Sequence, residues 1–227
     1  MTLTIYNELE QGSPEWLDAR CGILTASQIG KLVTPSTVKV AENDYSRALI
    51  ETLVAERISG RVDYIHPTAD MQRGSLDEPY ARSLYAEHYA PVEEIGFAVR
   101  EFNGLKLGAS PDGLVGADGG IEIKSRKPRA QLKAFLTNEV PRENIAQVQA
   151  CMLVLGRAWW DYVSYAGGWP LFVKRVYPDP RWQNAIVDAL EAFEQKAEQM
   201  LATYQDASDG NPVAPLIDHF ADAEIRI

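Results

Sequence analysis

The chain has 227 residues, a formal net charge of −10 and 46% hydrophobic residues, which suits one ordinary α/β domain with a substantial core and excludes a fibrous or disordered chain. No apolar run approaches the about 18 residues that a membrane span needs, and the N-terminus lacks a signal-peptide pattern, so a cytoplasmic protein is expected. The acidic total excludes a protein that simply coats DNA, because phosphate binding rests on local positive potential.

Ser13-Pro14 predicts a short helix carrying Trp16 and Arg20, with Ser as N-cap and Pro at the first helical position. Two thiols, Cys21 and Cys151, show neither CxxC nor zinc spacing and read as buried or half-buried cysteines of a reducing compartment. Thr25-Ala26-Ser27-Gln28 has the form of a capping box and predicts a second helix. Leu49, Leu53 and Val54 recur at helical spacing between about 42 and 59, where Gly60 stops the run. Ser75-Leu76-Asp77-Glu78 is a second capping box, predicting a helix to about Tyr89.

The period then becomes two. Ile95, Phe97 and Val99 alternate, as do Leu105, Leu107 and Ala109, and Ala117-Asp118-Gly119-Gly120 supplies a turn into Ile121-Glu122-Ile123-Lys124, giving a three-strand meander. A helix over 142–155 follows, with Ile145, Val148, Met152 and Leu155 on one stripe. Strands over 159–165 and 171–177 are linked by Gly167-Gly168, and a helix from about Trp182 to Tyr204 closes the fold. No repeat or linker divides the chain, so residues 1–227 read as one domain with a tail from about 206 to 227, whose Leu216, Ile217 and Phe220 suit packing on a neighbouring subunit.

On a strand, Glu122 and Lys124 share one face while Ile121 and Ile123 anchor the other. Asp112 joins the two charged residues if its strand forms a hairpin with theirs. Phosphodiester cleavage needs a hard cation held by carboxylate oxygens to neutralise charge growing on the phosphate. Asp112 and Glu122 suit that role, the Ile123 carbonyl completes the shell, and Lys124 orients or helps deprotonate the attacking water. A surface Glu–Lys pair is the competing reading for Glu122 and Lys124 alone. Between Glu122 and Lys133 the chain also carries Lys124, Arg126, Lys127, Arg129 and Lys133 against the single acid Glu122, a basic stripe on an acidic body that directs a polyanion to one place.

Pro111-Asp112 followed by Glu122-x-Lys124 is similar to the PD-(D/E)XK motif of the restriction-endonuclease-like nucleases. Within them the chain resembles the phage lambda exonuclease, or YqaJ-like viral recombinase, family. The likeness rests on ordered segments: Trp16, Arg20-x-Gly22-x-x-Thr25-Ala26-Ser27, Gly74, Glu78, Ser110-Pro111-Asp112-Gly113-Leu114, Glu122-Ile123-Lys124 and Ala146-Gln147-Val148-Gln149. It implies a mixed central β-sheet flanked by helices, with a helical N-terminal part. It also implies two Mg²⁺ ions, replaceable by Mn²⁺, on Asp112 and Glu122, with Lys124 serving the nucleophilic water and Glu78 facing the site. Capping a helix end is the competing role for Glu78.

By the same resemblance Arg20 and Ser27 hold the 5′-phosphate of the shortened strand. The expected helix start at Thr25 agrees, since free N–H groups there favour an anion. Gln147 is implied to contact metal-bound water or DNA, with a solvated helix face as its competitor. Met71 falls near the position of an apolar wedge between the strands, although Gln72 and Arg73 depart from the pattern. Arg126, Lys127 and Arg129 are candidate phosphate contacts, and Trp159-Trp160 reads as core. The implied activity is digestion of one strand of linear duplex DNA from its 5′ end, leaving a 3′ overhang. The implied assembly is a homotrimeric ring, encoded by a phage or prophage, that passes the overhang to a single-strand annealing protein. A structure-specific repair or restriction endonuclease, or a non-catalytic DNA-end-binding scaffold, are the alternatives. A relative with an iron–sulfur cluster is disfavoured by the count of two cysteines.

Overall fold

The computed structural model describes residues 2–62 and 66–216. The chain enters as a strand, β1 (Thr2–Tyr6), so the N-terminal part is not purely helical. Helix α1 (Pro14–Arg20) begins as expected, with the Trp16 N–H donating to Ser13 Oγ. The helix expected from Thr25 does not form. Thr25 belongs to a two-residue strand, β2 (Leu24–Thr25), and the Ala26 N–H continues that pairing by donating to the Gly108 carbonyl. Gln28 Oε1 does accept from the Thr25 N–H, but its other bond is to the Thr25 hydroxyl. Only a 3-10 turn at Ile29–Lys31 follows before two short strands, β3 (Val33–Thr34) and β4 (Lys39–Val40).

Helix α2 (Asp44–Ser59) carries a reciprocal cap between Asn43 and Ser46 and ends at Gly60 in the left-handed region, φ 70°. Helix α3 (Ala69–His88) starts about two turns earlier than its Ser75 motif predicted. Thr68 caps the Met71 N–H, and the Ser75 hydroxyl donates back to the Met71 carbonyl inside the helix. Glu78 is therefore a mid-helix residue and caps nothing.

Strands β5 (Phe97–Phe102) and β6 (Leu105–Ala109) form a hairpin through Asn103-Gly104, at φ 50° and 91°, the pair of positive angles that a two-residue loop needs. With β1 antiparallel to β5 and β2 parallel to β6 they make one mixed sheet, ordered β1-β5-β6-β2. The expected meander then breaks, because Pro111 has no N–H to continue the ladder. A second mixed sheet, ordered β10-β9-β8-β7, begins with the hairpin of β7 (Gly113–Val115) and β8 (Gly119–Ser125). Gly119 and Gly120, expected in the turn, are the first residues of β8. A Cβ on either would lie 2.1 Å from the Trp159 ring or 2.3 Å from the Trp160 ring.

Strand β9 (Trp160–Tyr165) runs parallel to β8, which requires a crossover. Helices α4 (Pro128–Thr137) and α5 (Arg142–Leu155) supply it. Helix α4 was hidden in the sequence by the basic run. Strand β10 (Phe172–Val176) is antiparallel to β9, and α6 (Pro180–Ser208) outruns its expected end by four residues, moving the start of the tail. Leu216 is exposed, and Ile217 and Phe220 lie outside the described residues.

Helix α5 packs against β5 and β6 of one sheet and β9 of the other, so it spans both. Its Val148, Met152 and Leu155 join Leu49, Leu53, Ile186, Leu190 and Phe193 in the larger core. Each such side chain contributes about 1.5–3 kcal/mol on burial. A second cluster of Ala81, Tyr85, Ile121, Ile123 and Val163 fixes α3 on β8 and β9. Tyr85 OH donates to the buried Asp161 at 2.7 Å, and Arg175 grips the same carboxylate with two bonds of 2.8 Å. Among the described residues no helix is long and apolar enough to cross a membrane.

Candidate active site

The isoleucines of β8 anchor it against α3, and the alternation of the strand sends Glu122 and Lys124 to the other side. The pairing of Gly113 with Ile121 brings Asp112 level with the next residues of β8. There the Ile123 N–H donates to Asp112 Oδ2 at 2.6 Å. Lys124 Nζ stands 2.5 Å from Glu122 Oε1. Glu122 is 1% exposed, and its second oxygen, Oε2, has no hydrogen-bond partner. A buried carboxylate oxygen without a donor costs free energy unless a further positive group completes it.

The electrostatics confirm that shortage. Burial pushes the Asp112 carboxyl well above the usual carboxylate range, Glu122 and Glu78 push it further, and Lys124 and the Ile123 N–H oppose them. Burial works to lower Lys124, but Glu122 and Asp112 outweigh it and hold the ammonium charged. Burial also raises Glu78, where the pull of Arg82 is offset by Glu122 and Glu94. Beneath the acids, burial and then the charges of Glu122 and Asp112 push the Cys151 thiol far up, leaving it inert.

Glu78 reaches the centre from α3. Arg82, one turn on, forms an ion pair with it and another with Glu94 at 2.7 Å, and its Nε donates to the Asp112 carbonyl at 2.8 Å. Three acids thus meet around one lysine and one arginine. Among the described residues no three His, Cys, Asp or Glu side chains converge closely enough to chelate a cation unaided. The donor set present, the Asp112 and Glu122 carboxylates with one orphaned buried oxygen, fits a hard divalent cation that also takes oxygens from water or phosphate.

A small cavity of about 160 Å³ is lined by Gln11, Trp16, Arg20, Ser27, Gln147 and Ser110, which stands two residues before Asp112 in the chain. Arg20 Cζ stands over the Trp16 ring, 3.8 Å from its centroid, and Nη2 donates to Thr25 Oγ1 at 3.4 Å, with Ser27 Oγ 3.2 Å from that hydroxyl. Trp16 Nε1 donates to Ser110 Oγ at 3.0 Å. Burial lowers Arg20 to about 10, against the pull of Glu56, so it stays charged at neutral pH. The anion-binding helix end expected beside Ser27 is absent, because the segment makes only a 3-10 turn. An arginine, hydroxyls and an amide take its place. Gln147 is half-buried and faces this cavity, not bulk solvent.

The remaining candidates fall elsewhere. Met71 is 52% exposed and lines a separate cavity of about 460 Å³ with Trp16, Arg20 and Tyr45. Its neighbour Arg73 is tied to Ser125 and Asp70. Of the basic stripe, Arg126 is committed to Tyr162 and Asn144, and Lys127 to Asp70 at 3.1 Å, while Arg129 and Lys133 are exposed. Trp160 is fully buried, as expected, and Trp159 lies under Arg175 at 3.6 Å. Sequence reasoning gave no role to Ser110, Trp16 or Arg82. The signal for Ser110 was its place before Pro111-Asp112, and for Arg82 its position one helical turn from Glu78.

Comparison with known families finds the YqaJ-like viral recombinase domain over residues 15–158. An alkaline exonuclease (LHK-Exo) from Laribacter hongkongensis is similar at 30% identity and a TM-score of 0.76, over 86% of this chain and 98% of that one. The same figures hold for LHK-Exo in complex with dAMP. A phage-related exonuclease from Haemophilus somnus 129PT shares the fold, with a TM-score of 0.61 at 12% identity over 80% of this chain and 96% of that one. No curated protein matches the chain.

Proposed function

The chain belongs to the YqaJ-like viral recombinase family and is a nuclease of the lambda exonuclease type, and from that premise we propose that it is a Mg²⁺-dependent exonuclease that digests one strand of linear duplex DNA from the 5′ end. The observation that carries the reading is the orphaned, buried Glu122 Oε2 of the acid centre, together with the cavity that Arg20, Ser27 and Gln147 share with Ser110.

Asp112, Glu122 and the Ile123 carbonyl would hold the cations, two of Mg²⁺ or, in their place, Mn²⁺. A bound cation neutralises the charge that grows on the scissile phosphate. Lys124, held charged by Glu122 and Asp112, donates to the attacking water and steadies the oxygen as it becomes anionic. Glu78, raised by burial, suits the uptake of the proton that this water releases. Arg20 clamps the terminal 5′-phosphate, with Ser27, Ser110 and Gln147 as its polar company. That grip sets the cut one nucleotide from the end. The description of LHK-Exo in complex with dAMP supports this size of product, a nucleoside 5′-monophosphate.

Arg129 and Lys133 remain as exposed cations for the duplex, and Met71 as a wedge candidate. By its family likeness the chain would work as a homotrimeric ring that threads DNA processively in a bacterial cytoplasm and yields 3′ overhangs to a single-strand annealing protein; a total charge of −10 with local exposed cations fits such a ring. End-labelled duplex tests the polarity: mononucleotides should leave the 5′ end first. Cleavage of closed circles would point instead to a repair or restriction endonuclease. Cleavage unchanged by Asp112→Ala would point to a scaffold.

A further inference from the structure

Arg82 is 14% exposed and uses three nitrogens on three partners. Nη2 meets Glu78, Nη1 meets Glu94 at 2.7 Å, and Nε donates to the Asp112 main-chain oxygen at 2.8 Å. Two of those partners belong to the reaction centre and sit on different elements, Glu78 on α3 and Asp112 on the turn into β7. Ala81 and Tyr85 bury the same stretch of α3 against β8, so Arg82 projects from a fixed base. We propose that Arg82 is a positioning residue that sets the affinity of the site for its divalent cation by fixing the Asp112 main chain and the Glu78 carboxylate relative to Glu122.

The inference rests on the cation-dependent reading above and adds a cause for tight binding. Carboxylates already held in place need not be ordered when the cation arrives, which is how groups behind the ligands support affinity. The planar guanidinium makes this possible because its donors diverge in one rigid fork. A lysine keeps the charge but has one nitrogen, so it cannot span Glu78, Glu94 and the Asp112 carbonyl together. Charge alone predicts the opposite result, since a cation beside the site repels a second one.

The test is a calorimetric titration of the metal-free protein with Mn²⁺, for the unchanged chain, Arg82→Lys and Arg82→Gln. Duplex cleavage against Mg²⁺ concentration and thermal melting accompany it. Both variants should bind Mn²⁺ about 10–100-fold more weakly, the range found for groups behind metal ligands. Both should recover most of their cleavage rate at saturating Mg²⁺. If Arg82→Gln melts below the assay temperature, Arg82→Lys carries the comparison. Unchanged affinity in Arg82→Lys, tighter binding in Arg82→Gln, or lowered melting with unchanged affinity would each overturn the proposal. Failure of the unchanged chain to bind Mn²⁺ would overturn the functional reading as well, and is seen before any variant is compared.

Discussion

Replacing Asp112 by Asn should stabilise the cation-free protein while removing its activity. The amide keeps an oxygen to accept the Ile123 N–H bond of 2.6 Å but removes the charge that burial, Glu122 and Glu78 all oppose. An acid whose folded pKa is raised contributes stability below its unfolded pKa and loses it as pH rises through the folded value. In the unchanged chain, cation-free stability should therefore fall as pH climbs from acid through the raised Asp112 value, and Asp112→Asn should flatten that fall. At neutral pH relief of this strain is worth about 1–2 kcal/mol, within the usual gain from neutralising a functional site. For a chain of this size that is a rise in melting temperature of about 2–8 °C. Mg²⁺ at about 100 times its Kd should then stabilise the unchanged chain by about 2.7 kcal/mol and the variant far less, reversing their order. Losing a carboxylate that holds the cation removes several kcal/mol of charge stabilisation, so cleavage should drop about a thousandfold. Melting curves in chelator and in Mg²⁺, over a pH series, read all of this. A cation-free variant that melts lower than the unchanged chain, or an equal Mg²⁺ shift in both, would refute the reasoning.

Lys124→Met should abolish cleavage and, in chelator, cost about 3 kcal/mol, because it strands the buried Glu122 charge; denaturant unfolding measures it. Arg20→Ala should erase the preference for 5′-phosphorylated over 5′-hydroxyl ends, a change of about 1–3 kcal/mol read from the ratio of kcat/KM on the two substrates. Gly120→Ala places a methyl against the Trp160 ring and should destabilise by about 1–3 kcal/mol through overpacking. It should leave the cleavage rate of the folded fraction near normal.

The strand that carries Glu122 and Lys124 was legible because alternation on β8 has two outcomes only, and Ile121 and Ile123 decide between them. The Asp112 hairpin was legible from the turn signal before Ile121, although the strand that pairs with β8 is Gly113–Val115 and not Leu105–Ala109. Its neighbours misled where local motifs compete with long-range pairing. Thr25 and Gln28 have the residues of a helix cap, yet the pairing of Leu24 and Thr25 with Leu107 and Gly108 claims the backbone. Ser75 and Glu78 read as a cap only because Thr68, seven residues earlier, is not visibly stronger. Helix α4 was hidden because charge dominates Lys127–Lys133, while its buried residues, Gln131 and Ala134, carry little hydrophobic signal. The cavity of Arg20 and Ser27 was partly legible: these two residues stood out by their order, but the contact of Trp16 with Ser110 spans 94 positions and leaves no local trace.

The most direct measurement is the order of label release from a blunt, 5′-phosphorylated linear duplex in Mg²⁺, with a closed circle of the same sequence alongside. Labelled mononucleotide should leave the 5′ end early, with an intact circle, a long-lived 3′ label and no reaction in chelator. Release from the 3′ end, nicking of the circle, or digestion that persists in chelator would contradict the 5′-exonuclease reading.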